Sequence, residues 1–175
     1  MAAGVVSIAA GVERSTIRSH LKGGIAVRAM PTLPARIGYG MAALFDGDEL
    51  PVAQRQALDS LFKEVGQTLW VKEEDQIDQF TAVAGSGPGY IFEIMRAYAD
   101  AVTSLGFSDE DAERLAIQTF RGASALAEEA GGDLVQLREA VTSKGGTTAA
   151  GLTVLGRSAN MESVFQDALD LKSDC

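Results

Sequence analysis

The sequence holds a single cysteine, Cys175 at its last position. An intrachain disulfide framework is therefore excluded, and a reducing compartment fits. It holds a single histidine, His20. One histidine and one terminal cysteine cannot form a transition-metal site of the usual ligand spacing, so no metal is expected. A Ser-His-Asp arrangement would have to use His20, and no nucleophile-elbow sequence accompanies it. His20 reads as a bystander on a helical segment. Aromatic residues make up only 6%, which favours close helix–helix contact over an aromatic-filled interior. The apolar runs are interrupted too early to span a bilayer. The opening Met1-Ala2-Ala3-Gly4-Val5-Val6-Ser7-Ile8 lacks the basic region of a signal peptide. These absences predict a cytoplasmic protein with no membrane partner. There is no Walker-type loop, and no G-x-G-x-x-G follows an N-terminal strand.

What is present suggests one domain or two small ones in 175 residues, with 46% hydrophobic residues to build a core. The net charge of −9 is unevenly placed. Residues 1–74 carry eight basic and eight acidic side chains, and residues 75–175 carry seven and sixteen. An acidic surface lacks the clustered Lys and Arg that replace phosphate counterions, so no nucleic-acid partner is expected. The acids read as a solvated helical surface.

Residues 1–74 alternate strand and helix signals. Val5–Gly11 reads as a short buried strand running into a glycine turn, and a helical stretch follows from Glu13 to Leu21. Gly24–Met30 is a second strand, whose pairing should stop at Pro31. Gly38–Phe45 is a third, closed by the turn signal Asp46-Gly47. From Pro51 to Val65 the pattern is helical, with Ala53, Ala57, Leu61, Phe62 and Val65 on one face. Thr68–Val71 is a fourth strand. This order predicts an α/β sheet covered by helices. Few residues remain to cover both faces, and the apolar first strand predicts sheet neighbours from sequence outside this chain.

Glu73-Glu74-Asp75 marks the composition change, and residues 75–175 give helix signals alone. A helix from Gln76 to Val83 is interrupted by Ala84-Gly85-Ser86-Gly87-Pro88, where Ser86 or Gly87 can cap a new helix opened by Pro88. The next helix carries Tyr90, Ile91, Ile94, Met95, Tyr98, Ala101, Val102 and Leu105 at three- and four-residue spacing. Ser108 caps a further helix, with acids in its first turn and Leu115, Ala116, Phe120, Ala123, Leu126, Ala127 and Ala130 on its apolar face. Gly131-Gly132 ends it, and Asp133 caps a short helix to Val141. A helix after Gly145-Gly146 is expected to break at Gly156, and a last one starts at Asn160. So many apolar stripes on about a hundred residues predict a homodimer, because a second copy would bury them.

Val141-Thr142-Ser143-Lys144-Gly145-Gly146-Thr147-Thr148-Ala149-Ala150-Gly151-Leu152 stands out in this part. Two glycines free the backbone to turn tightly. Unpaired N–H groups at the following helix start sit at the positive end of a helix dipole. Together with three hydroxyls they can cradle a small anion such as a carboxylate. The plainer reading is a helix C-cap followed by an N-cap, and the stretch by itself favours that reading.

Three motifs occur in order: Val27-Arg28-Ala29-Met30-Pro31-Thr32-Leu33-Pro34-Ala35, Ala84-Gly85-Ser86-Gly87-Pro88-Gly89-Tyr90, and the glycine-hydroxyl stretch 141–152. Together they resemble delta-1-pyrroline-5-carboxylate reductase, the last enzyme of proline biosynthesis, over nearly the whole chain. The resemblance implies an N-terminal Rossmann domain followed by an all-α dimerisation domain, with dimers that often assemble further. Residues 1–74 would be the C-terminal half of the Rossmann domain, and residues 75–175 the helical dimerisation and substrate-binding domain. The implied reaction is hydride transfer from NADPH or NADH to the C=N carbon of pyrroline-5-carboxylate, giving L-proline.

The same resemblance implies roles. Met30, Pro31 and Thr32 would meet the cofactor near its nicotinamide, and Ser86, Gly87 and Pro88 would border the nicotinamide and the substrate ring. Val141, Ser143, Gly145, Gly146, Thr147 and Thr148 would bind the substrate carboxylate across the dimer. The Thr148 hydroxyl, as catalytic group, would act as a hydrogen-bond donor near the imine nitrogen, because a threonine is a poor acid. Three departures stand out. Thr32 replaces the usual asparagine, and Lys144 the usual proline. The first Rossmann units, with the fingerprint that seats the pyrophosphate, are not in this sequence, which makes the chain N-terminally truncated relative to the family. That departure leaves an alternative of another class, a catalytically inactive dimerisation or proline-binding module.

Overall fold

The computed structural model describes residues 4–21, 23–158 and 160–173. Cys175 and the opening Met1-Ala2-Ala3 lie outside them. The first elements are β1 (Gly4–Ser7), α1 (Arg14–Ser19), β2 (Ile25–Pro31), a 3-10 helix (Leu33–Ile37), β3 (Gly40–Phe45), α2 (Val52–Lys63) and β4 (Gly66–Trp70). The four strands form one sheet in the order β1-β2-β3-β4. β1 pairs parallel to β2, and β3 parallel to β4, each pair joined by a helix. β2 and β3 run antiparallel, because the short link between them is too short for the crossover that parallel strands need. The sheet is therefore mixed, two β-α-β units joined back to back, and the alternation expected from the sequence holds.

Pro31 is the last residue of β2 and pairs with Ala42, so the ladder stops at the proline as expected. The central strands are buried on both faces at Ala26, Val27, Ala29, Ala42, Ala43 and Leu44. Val27, Ala29, Leu44 and Leu50 pack under Leu58 and Phe62 of α2 and against Trp70. On the other face Ala43 packs with Ile77 and Phe80 of α3 (Asp75–Phe80), alongside Met30 and Met41. That second cover comes from beyond residue 74 and supplies the helix that residues 1–74 were short of.

The inward face of α2 differs from the expected one. Ala53, Ala57 and Val65 are exposed, as is Leu61. Arg55, Leu58, Asp59 and Phe62 face the sheet. The polar members are satisfied there. Arg55 donates from Nε to Asp46 Oδ2 at 2.8 Å and lies 4.7 Å from the Trp70 ring centre. Asp59 accepts from Thr68 Oγ1 at 2.8 Å and Trp70 Nε1 at 2.9 Å. Asp46, 1% exposed, also accepts the N–H groups of Asp48 and Leu50. Burial alone would raise its carboxyl, but the Arg55 guanidinium and these N–H bonds together hold it below its ordinary value.

After α3 a single π-helical turn (Thr81–Gly85) precedes α4 (Gly87–Ser104). Then follow α5 (Asp109–Glu129), α6 (Leu134–Ala140), α7 (Thr147–Ser158) and α8 (Met161–Ser173). Ser108 caps α5 by accepting Asp111 N–H at 3.2 Å, and Asp133 caps α6 by accepting Gln136 N–H at 2.9 Å. Gly131 and Gly132 end α5 at φ 72° and 88°. Gly156 lies within α7, not at a break. A glycine in a helix interior costs only about 1 kcal/mol, less than a flanking apolar face recovers.

Compact packing groups the residues through Gly89 with those from Ser163 as one unit, and Tyr90–Glu162 as a second. In the second unit Ala112 and Ala116 of α5 are buried, and Phe120 meets Tyr98 edge-on at 6.0 Å. Most other large apolar side chains there are exposed, including Ile91, Phe92, Phe107, Leu115, Ile117, Leu126 and Val154. A cleft of about 490 Å³ beside Phe92, Met95, Ala116 and Ile117 continues this apolar surface. No helix among the described residues is long and apolar enough to cross a membrane.

Candidate functional site

The first unit brings the β2 end to the π turn. Thr81 donates from Oγ1 to Ile77 O, and Ser86 N–H donates to Thr81 O at 2.8 Å, the i→i+5 bond that widens the turn. A Cβ added at Gly85 would meet Thr81 Cγ2 at 3.3 Å and Met30 Cε at 3.5 Å. Glycine therefore lets the Met30 thioether lie against the turn that leads into Ser86-Gly87-Pro88. Gly89 N–H donates to Ser86 O at 2.9 Å. A Cβ at Gly87 or Gly89 would touch nothing within 4 Å, so this surface is open to a ligand. Ser86 is exposed, and Gly87 and Pro88 are half-buried.

Thr32 is buried, 7% exposed. Its N–H donates to Met41 O at 3.0 Å, and its Oγ1 accepts Met41 N–H at 2.9 Å. The side chain is thus turned onto β3. Buried Arg28, on β2, donates to Glu74 Oε1 at 2.8 Å and lies 3.7 Å from Asp78 Oδ1. Glu74 also accepts Arg14 N–H at 2.6 Å. The sequence motif contained Arg28 but assigned it no role. Its signal was a charge inside an apolar strand, matched by two acids four residues apart.

The second unit builds the glycine-hydroxyl stretch at the start of α7. Val141 is the C-cap of α6, and Thr142 closes that end by donating from Oγ1 to Arg138 O at 2.5 Å. Gly145 takes φ 73°, a turn conformation that glycine adopts without strain. Gly146 N–H donates to Ser143 O at 3.0 Å, and Ala150 N–H donates to Gly146 O at 3.2 Å, which makes Gly146 the N-cap of α7. A Cβ at Gly146 would collide with the Ser143 hydroxyl. That hydroxyl therefore stands at the helix start. The N–H groups of Thr147, Thr148 and Ala149 have no acceptor within the helix, at its positive end. Thr148 is half-buried, and Ser143, Lys144 and Thr147 are exposed. Ser143, Gly146, Thr147 and Thr148 are brought together, while Val141 sits at the end of the preceding helix, exposed.

The remaining candidates carry no such geometry. His20 is exposed, with Nδ1 2.9 Å from Thr16 O on its own helix. No group of three or more metal-ligating side chains occurs among the described residues. The acids with shifted protonation, Asp46, Glu49 and Glu93, each lie beside an arginine away from both segments.

Residues 74–173 match the family model described as pyrroline-5-carboxylate reductase dimerisation. The pyrroline-5-carboxylate reductase of Pseudomonas aeruginosa is 38% identical over 170 residues, which are 97% of this chain and 62% of that protein. The structure of the Coxiella burnetii enzyme superposes with a TM-score of 0.90 at 40% identity, over 98% of this chain and 63% of that one. The Plasmodium falciparum pyrroline carboxylate reductase, a structure with NADP bound, shares the fold at a TM-score of 0.80 and 23% identity, over 97% of this chain and 68% of that one. The chain thus spans between 57% and 66% of the length of the curated relatives it matches. On the match over its helical part, this chain belongs to the pyrroline-5-carboxylate reductase family.

Proposed function

We propose that this protein reduces 1-pyrroline-5-carboxylate to L-proline with NADPH or NADH, as a homodimer in the cytoplasm. Family membership carries the reading. Residues 1–74 serve as the C-terminal half of the cofactor domain, and residues 75–175 as the dimerisation and substrate-binding domain. The exposed apolar stripes of α4 and α5 are the surface that a second copy covers.

The substrate carboxylate is held at the start of α7, where the Ser143 hydroxyl and the N–H groups of Thr147 and Thr148 converge. Gly145 and Gly146 shape the turn, and Val141 flanks it. The Thr148 hydroxyl donates a hydrogen bond to the imine nitrogen, which draws charge from the carbon that accepts hydride. The residues of the first unit fit the nicotinamide end of a dinucleotide. The open surface at Gly87 and Gly89, beside Met30, Pro31, Ser86 and Pro88, can receive a flat ring. When bound, the dinucleotide supplies the hydride.

The test is NADPH oxidation by the full 175-residue chain with pyrroline-5-carboxylate, joined to calorimetric titration with NADPH and with L-proline. Turnover and binding of both ligands are expected. Proline binding without NADPH binding or turnover would leave a non-catalytic proline-binding module instead.

A further inference from the structure

The β2 end that the proposed function sets against the dinucleotide is closed by Thr32. We propose that Thr32 is a positioning residue. Its hydroxyl pins the end of β2 to the start of β3, and it makes no direct contact with the dinucleotide. The inference rests on the cofactor reading of Met30 and Pro31.

The ladder between β2 and β3 ends at the pair Pro31–Ala42. At the next position Thr32 still donates its N–H to Met41 O at 3.0 Å, but its carbonyl is turned away to accept Ala35 N–H at 3.1 Å in the 3-10 helix. The Met41 amide would then have no backbone partner on this side. Thr32 supplies one from its side chain, accepting Met41 N–H on Oγ1 at 2.9 Å. The hydroxyl takes the place of the strand carbonyl in this last pair. The far end of that helix is fixed as well. Tyr39 N–H donates to Pro34 O at 3.1 Å, and a Cβ at Gly40 would lie 2.6 Å from Ala35 Cβ. The loop is held shut at both ends, and Thr32, 7% exposed, is the side-chain half of the first closure. A β-branched side chain suits this, because its χ1 is stiff.

Amide hydrogen exchange at Met41 and NADPH affinity, measured on the full chain as wild type, Thr32→Val and Thr32→Ser, decide the matter. Valine keeps the shape and removes the acceptor. Met41 exchange should quicken about five- to tenfold in Thr32→Val, the scale of one lost net hydrogen bond, and NADPH affinity should fall with it. Thr32→Ser should restore both. Unchanged Met41 exchange in Thr32→Val overturns the closure. Full NADPH affinity in Thr32→Val despite faster exchange overturns the positioning. So does weak binding in Thr32→Ser with Met41 protected, since that points to direct contact through the methyl group. If the wild type binds no NADPH, the cofactor reading fails separately, and Met41 exchange still decides the closure.

Discussion

Gly145 and Gly146 are adjacent and are glycine for different reasons, so alanine at each should fail differently. At Gly146 an added Cβ collides with the Ser143 hydroxyl and lies 3.3 Å from Ser143 O and 3.6 Å from Ser143 Cβ. The hydroxyl is the end of a one-torsion side chain, so it rotates away. Alanine is a poorer N-cap than glycine, but it also stiffens the unfolded chain. The net stability change should stay within about 1 kcal/mol. Carboxylate binding loses the displaced hydroxyl. A hydrogen bond to a charged group is worth about 1.5–3 kcal/mol, so L-proline affinity should fall about 10- to 100-fold. At Gly145 a Cβ meets nothing within 4 Å, but φ is 73°. Left-handed backbone costs an alanine about 1–2 kcal/mol. Gly145→Ala should therefore lower Tm by several degrees and change L-proline affinity less than about threefold. Calorimetric titration with L-proline, paired with thermal unfolding, separates the two. Equal affinity losses in both variants, or wild-type affinity in Gly146→Ala, would refute the placement of the Ser143 hydroxyl in the cradle.

Three further outcomes follow from the geometry. Asp46 has its carboxyl held below the ordinary value of 3.8, so its ion pair with Arg55 contributes fully above that pH and is lost as pH falls through the lower folded value. Asp46→Asn should lower the urea midpoint at pH 6, and the gap to wild type should narrow below about pH 4; a constant gap contradicts this. Gly40→Ala puts a Cβ 2.7 Å from Ala35 Cα and 2.8 Å from Val65 O, both backbone, so it should cost about 3 kcal/mol in chemical denaturation. Ile117→Asp on the exposed face of α5 should shift the protein from dimer to monomer in sedimentation equilibrium at micromolar concentration, and a wild type that is monomeric there contradicts the proposed dimer.

What could be read from the sequence was local. Ser108 and Asp133 cap their helices through bonds three residues long, and Gly131-Gly132 ends one through backbone freedom alone. The glycine-hydroxyl stretch was visible for the same reason. The α2 face was misplaced because an apolarity pattern counts Arg55 and Asp59 as outward, whereas partners distant in sequence satisfy them facing inward. The 3-10 helix at Leu33–Ile37 is stabilised by its fit against Gly40, which no period in the sequence announces. The packing of α3 on the sheet escaped notice because the charge change at Glu73-Glu74-Asp75 reports composition, not contact. At the site, residue types could be read, but the direction of the Thr32 side chain could not, since it depends on Met41.

The π turn at Thr81–Gly85 also fixes how this region tolerates changes in length. A π turn holds one residue more than an α turn, and each helical residue advances the chain by about 100°. Deleting one residue there would turn it into ordinary α-helix while leaving Ile77 and Phe80 in their places on the sheet. Ser86, Gly87 and Pro88 would be rotated by roughly a quarter turn relative to α3. The turn is thus a one-residue counter. A chain shortened by a single amino acid here could keep its core and still present Ser86, Gly87 and Pro88 in the wrong direction.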